Sequence, residues 1–212
     1  MDLGLLDLIR TDPLVFVLLG ASLIGAIGLH EYAHALAADL QGDRLPRAMG
    51  RLTPNPIKHL DPLGTLCIFL VGFGWGKPVE FRRAALSSQR FGAAIVALAG
   101  PLMNLALAIA GGIILNVSFR VGVETRFWLL FLQIFISINT ILAVFNLIPL
   151  PPLDGSRLLT IFLPPDKQKV LFFLDKYGFI ILLALVFITR LTFLRPVLVT
   201  VEGWVRSLTG TA

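Results

Sequence analysis

One cysteine, Cys67, stands in the whole chain, which excludes an intrachain disulfide and a thiolate cage for a metal. Charge is scarce too. Only 15% of residues are Asp, Glu, Lys or Arg, against roughly one-quarter in soluble domains. Hydrophobic residues make up 56% and mean hydropathy is +0.85, so an ordinary water-soluble domain is excluded and an integral membrane protein is expected. Bases outnumber acids 18 to 13, but they fall between apolar runs rather than in one stripe. They therefore suit loops at a membrane surface, and no nucleic-acid partner is implied. There is no low-complexity segment, no solenoid repeat and no pair of inverted halves of the transporter kind.

The apolar runs set the architecture. Asp12 before Pro13 is a helix start, a capping residue followed by proline at the first helical position, and the apolar pattern continues to about Leu40 as span one. From Gln41 to Leu60 the chain is polar and proline-marked, so short extended pieces are expected there rather than helix. Asp61-Pro62 repeats the cap signal and opens an apolar stretch, 63–73, too short to cross a hydrocarbon core of about 30 Å; a re-entrant or interfacial piece is expected. Phe91 to about Val117 is the second full span, interrupted by Gly100-Pro101, and Phe127–Ile148 is the third. Pro149, Pro151 and Pro152 stop it. A basic loop to Lys176 and a fourth span from Gly178 to about Leu194 follow. Beyond Pro196, the residues Val197, Leu198, Val201, Trp204, Val205 and Leu208 recur at spacings of one apolar helical face, predicting an interfacial helix over 196–208. Asp2, Asp7 and Asp12 against a single Arg10, with no small-residue cleavage signature, suit a retained N-terminus rather than a removed signal peptide. The expected fold is an all-α polytopic membrane protein forming one domain over residues 1–212.

Two of the three histidines lie four apart, in His30-Glu31-Tyr32-Ala33-His34, an HExxH pattern inside span one. On an α-helix they are separated by about 40° of rotation, so both imidazoles can reach one Zn²⁺. Glu31 then projects beside the metal, where a carboxylate can take the proton of a water that zinc has acidified. The chemistry expected is peptide-bond hydrolysis. The bland alternative, two packed core histidines and a paired glutamate, is disfavoured because three adjacent ionisable groups within a membrane-like run are costly without a purpose.

Charge supplies a topology. Loops 41–61, 77–90 and 150–176 carry four Lys or Arg each, whereas 118–126 has only Arg120 and Arg126. The positive-inside bias places the first three in the cytoplasm. That holds only if 62–76 does not cross.

A catalytic zinc usually has three protein ligands, so a carboxylate is needed elsewhere. Asp154, in Asn146-Leu147-Ile148-Pro149-Leu150-Pro151-Pro152-Leu153-Asp154-Gly155, is the candidate. Its spacing suits a ligand and a loop aspartate capping the helix begun by Ser156 and Arg157 equally well.

With HExxH in an early apolar helix, NxxPxPxLDG after a later one, and Gly100-Pro101-Leu102-Met103-Asn104 between them, the chain resembles the site-2 protease family of intramembrane zinc metalloproteases over roughly residues 13–157. Gly74-Trp75-Gly76-Lys77-Pro78-Val79 and Asp61-Pro62-Leu63-Gly64-Thr65 look like those of its small bacterial and archaeal members. Loop 118–126 has no room for the PDZ domain that many relatives carry. The resemblance implies a three-helix catalytic core with one zinc per chain held by His30, His34 and Asp154, Glu31 as catalytic acid/base, and a metal site toward the cytoplasmic side of a prokaryotic cell membrane. It implies a membrane-protein substrate cut in or near its transmembrane segment.

Asn104 and Asn146 are amides at membrane depth and need partners. Hydrogen bonding between helices and contact with the substrate or the tetrahedral intermediate are both open for them. Asn139 suits interhelical bonding, His59 an interfacial position more than a metal ligand, and Arg190 an outer-interface position near Arg195. Arg44–Pro56 and Lys77–Arg83 are candidate extended edges for an unwound substrate strand. The other function class weighed is a zinc-binding membrane scaffold or a transporter. A transporter should show paired broken helices, and a non-catalytic scaffold should lack Glu31 or a ligand. The sequence leaves substrate identity and oligomeric state open.

Overall fold

A computed structural model describes residues 7–71, 74–88, 91–162, 168–189 and 192–210. The described helices are α1 (Asp7–Thr11), α2 (Pro13–Leu40), α3 (Leu45–Ala48), α4 (Pro62–Val71), α5 (Gly92–Arg120), α6 (Arg126–Asn146), α7 (Gly155–Phe162), α8 (Gln168–Thr189) and α9 (Arg195–Thr209). Four of these are long and apolar enough to cross a membrane: α2, α5, α6 and the 172–189 part of α8. The chain is an all-α integral membrane protein.

α2 starts where the sequence says it should. Asp12 Oδ1 accepts from Val15 N at 3.2 Å and Pro13 occupies the first turn, where its missing N–H has no helical partner to lose. α2, α5 and α6 pack against one another as a three-helix core. Small residues line their contacts, with Ala26, Ala33, Ala35 and Ala38 of α2 and Ala93, Ala94, Ala97 and Ala108 of α5 all buried. Without a hydrophobic force between helices in lipid, such residues gain association by letting backbones come close.

The segment between spans one and two runs back along α2 and returns to its starting level. Ten-residue α4 is about 15 Å long, half a hydrocarbon core. Its Phe69 ring packs on Phe16 of α2 at 5.5 Å, whereas Gly76, after the return, lies beside Ile27 and Glu31. Along α2 those levels differ by about 16 to 22 Å. The two ends meet again in an antiparallel bridge between Leu60 and Gly76, with Lys77 N donating to His59 O at 2.8 Å. Parity agrees: Asp12, capping α2, and Arg126, opening α6, approach to 3.7 Å, so α2 and α6 start on one side. Only α2 and α5 cross between them.

Two expectations need correction. The stretch 41–60 is not extended: it holds α3 and a short 3₁₀ turn at Pro56–Lys58, and its one described strand-like pairing is Leu60 with Gly76. Prolines 46, 54 and 56 remove the donors a ladder would need. The basic loop does not run to Lys176, because α8 starts at Gln168 and carries Lys169, Asp175 and Lys176 in its early turns; Lys176 Nζ lies 5.2 Å from the Tyr177 ring centroid. The tail helix forms as expected but also docks on α5 and α6, burying Val205 and Thr209, while Asn116 Nδ2 donates to Gly210 O at 2.6 Å. Arg190, Gly72, Phe73 and Lys167 lie outside the described residues.

Candidate metal centre

Three segments bring the centre together. His30 and His34 come from the last third of α2, Asp154 from the turn between α6 and α7, and α5 closes over both histidines at Gly100. His30 Nε2 and His34 Nε2 are 3.0 Å apart, and Asp154 Oδ2 lies 3.0 Å from the first and 3.3 Å from the second. Both imidazoles are buried.

The far nitrogen of each ring tells what the near one does. His34 Nδ1 donates to Val96 O at 2.7 Å, and His30 Nδ1 to Asn104 Oδ1 at 2.5 Å. Those oxygens only accept, so each ring holds its proton on Nδ1 and turns an Nε2 lone pair inward. Two lone pairs and a carboxylate oxygen at such separations repel unless a cation sits among them. Ligand atoms 2.0–2.1 Å from a tetrahedral zinc would stand roughly 3.3 Å apart, close to what is observed. The two-nitrogen, one-oxygen donor set with its ligating atoms within 4.8 Å of one another therefore fits a metal ion, and it leaves a fourth position open.

The three candidate ligands line a cavity of about 480 Å³. Glu31, Asn146, Trp75 and Phe179 line it with the three metal-binding candidates. Glu31 Oε2 is buried and has no hydrogen-bond partner among the described residues, an expensive condition for a carboxylate that serves no purpose. Ala97 also lines the cavity, and Pro101 deprives its carbonyl of the usual helical donor without breaking α5. Asn146 faces the cavity while its Nδ2 donates to Leu142 O at 3.0 Å. Asn104 does not face it. It is wholly buried behind His30, with its amide committed to His30, Ala26 and Asn139, which is the interhelical alternative.

His59 is not part of the ligand group. It is fully buried, with Nε2 donating to Thr53 O at 2.7 Å, and burial lowers its basicity. Arg51, expected as a surface base, is buried and donates to Lys58 O and Lys77 O, tying the loop before α4 to the cavity wall after it. Burial lowers its pKa, opposed by the charges of Glu31 and Glu80. No periodic signal marks Arg51, Gly100 or the Val96 carbonyl in the sequence; Gly-Pro inside an apolar span is the one local hint at Gly100.

A metal-binding group beside a carboxylate with one unpartnered oxygen is what a hydrolytic metalloenzyme needs, and the four spans put that enzyme in a membrane. The profile of peptidase family M50 matches residues 18–127 and 121–186, and the chain belongs to that family, the site-2 proteases. It is a zinc metalloprotease. It is 41% identical over 175 residues to "Putative zinc metalloprotease YwhC" of Bacillus subtilis, covering 80% of each chain. To "Putative zinc metalloprotease Rip2" of Mycolicibacterium smegmatis it is 34% identical over 181 residues, 81% of this chain and 67% of that one. The Mycobacterium tuberculosis protein of the same name is 32% identical over 200 residues, 90% and 70%. No solved structure matches.

Proposed function

We propose that this metalloprotease cuts a peptide bond in or near the transmembrane segment of another membrane protein, with His30, His34 and Asp154 holding zinc and Glu31 acting as the catalytic acid/base. The observation that carries the reading is the buried, unpartnered Glu31 oxygen sharing a cavity with the three ligand candidates among membrane-length helices. When bound, zinc would polarise the scissile carbonyl and lower the pKa of water to about 7.

The chain's own groups account for the rest. Glu31 takes the water proton and passes it to the leaving amine, so water adds across the C–N bond and no other reactant is needed. Asn146, on the cavity wall, offers an amide to the substrate carbonyl. A substrate helix must unwind before a carbonyl can be attacked, because its backbone bonds are satisfied internally. Gly74, Trp75, Gly76, Pro78 and Val79 line the cavity beside the Leu60–Gly76 bridge, where an unwound strand can add. The positive-inside bias puts this site on the cytoplasmic side of the membrane.

The test is cleavage of a reporter carrying one transmembrane segment by purified protein in bilayers, with product ends read by mass spectrometry. A cut within or next to the apolar segment supports the reading. Cleavage confined to soluble tails of the reporter would refute it.

A further inference from the structure

We infer that Asn139 is a positioning residue for the metal centre, fixing through Asn104 which nitrogen of His30 faces the metal. This rests on His30 being a zinc ligand, as proposed above. The two histidines are oriented by different means. His34 Nδ1 donates to the backbone carbonyl of Val96, which cannot turn round. His30 Nδ1 meets a carboxamide, and a carboxamide can flip.

What stops the flip is a run of one-directional bonds from α6 through α5 to α2. Asn139, fully buried, donates from Nδ2 to Phe135 O of its own helix at 2.9 Å, which turns its Oδ1 toward α5. Asn104 Nδ2 donates to that Oδ1 at 2.9 Å and to Ala26 O at 3.3 Å. With its amino group so used, Asn104 presents Oδ1 to His30. A flipped Asn104 would set its oxygen against the Ala26 and Asn139 oxygens in a place water does not reach, which is costly. It would also donate to His30 Nδ1, moving the ring proton to Nε2, where it would block the metal. Asn139 supplies the shorter of the two bonds that prevent this.

The test is zinc affinity, by competition with a chelator, together with the visible spectrum of the cobalt-substituted protein, which reports ligand geometry. Asn139→Leu removes the acceptor at similar volume. Asn139→Thr is the gentler change, since its hydroxyl can bond back on its own helix, as Thr140 does to Ile136 O at 2.9 Å, but is too short to reach Asn104. Asn139→Asp is the rescue: a neutral acid in this dry site accepts from Asn104 with one oxygen and donates to Phe135 O with the other. Loss of a ligand's direct partner typically costs 10- to 100-fold in affinity. One residue further out, Asn139→Leu and Asn139→Thr are expected to weaken zinc by roughly tenfold and shift the cobalt bands, with Asn139→Asp within about twofold of wild type. If Asn139→Leu fails to fold, Asn139→Thr decides. Wild-type affinity in the folded Leu variant, or in Thr, overturns the inference, as does an Asp variant as weak as they are. His30→Ala separates the two levels: if it keeps its zinc, the ligand assignment itself fails, whereas loss of zinc there with wild-type affinity in Asn139→Thr defeats only the relay.

Discussion

Gly100 of α5 touches His34 of α2 so closely that a methyl group on it would stand 2.5 Å from His34 Nε2, and 2.6 Å from His30 Nε2. The metal-facing edges of both rings lie where any other residue would put its Cβ. In a helix interior, glycine is otherwise about 1 kcal/mol worse than alanine.

Gly100→Ala should therefore separate helix stability from metal binding. The variant is expected to fold and to lose zinc, with cleavage falling in step. Gly25→Ala, on α2 with nothing within 4 Å of the added carbon, is the matched control and should bind and cleave normally. Metal analysis of both purified proteins checks this; full zinc in Gly100→Ala would contradict the close approach.

The loops 41–61 and 77–90 should depend on Asp43 in a pH-dependent way. Asp43 is buried and accepts from Arg82 N at 2.5 Å, from the Arg82 guanidinium at 2.8 and 3.0 Å, and from Leu45 N at 3.0 Å. Burial pushes its pKa up, but these bonds outweigh burial and hold it below its ordinary value of 3.8. A carboxyl depressed in the folded state contributes stability that is fully present above its unfolded pKa and is lost as pH falls through the folded one. Asp43→Asn should cost on the order of 2 kcal/mol at neutral pH. Thermal unfolding against pH should show that deficit shrinking below about pH 4; a pH-independent deficit would contradict the charged pairing.

Asp39 shows how burial changes the reading of a residue. On the sequence it is an acid beyond the motif, with no assigned task. The structure buries it, with Arg44 at 2.9 Å and Arg47 at 2.7 Å on its carboxylate. Asp39→Asn should lower thermal stability while leaving zinc stoichiometry at one per chain. An unchanged melting temperature would show that these bridges contribute nothing.

Sidedness should follow the charge. In a Cys67-free background, cysteines at the exposed positions Met49, Arg83 and Lys169 should react from the cytoplasm, and at Glu124 from the opposite side. Labelling of Arg83→Cys from the outer side would mean that 62–76 crosses, contrary to the Leu60–Gly76 bridge.

The residues that the sequence made legible are those whose neighbours along the chain carry the signal. HExxH puts two imidazoles on one helical face by spacing alone, and Asp12-Pro13 writes its own cap. Asp154 was ambiguous because the same local pattern serves a ligand and a helix cap; only the distances to His30 and His34 separate them. Gly100 and Asn139 act across helices, through contacts between residues 35 to 70 positions apart, and no local period encodes those. The start of α8 is not legible in the sequence because lysines and an aspartate look like loop, although a helix protruding from the membrane can carry them in its first turns. Prolines marked 41–60 as non-helical overall, yet one of them, Pro46, sits comfortably in the first turn of α3.

The most direct measurement is the comparison of wild type with Glu31→Gln, for bound zinc and for cleavage of a transmembrane reporter. Gln keeps the shape of Glu31 but cannot accept the water proton, so the variant should hold one zinc per chain, still bind the reporter, and cleave it at least about a hundredfold more slowly. Cleavage at the wild-type rate by a zinc-loaded Glu31→Gln protein would contradict the account.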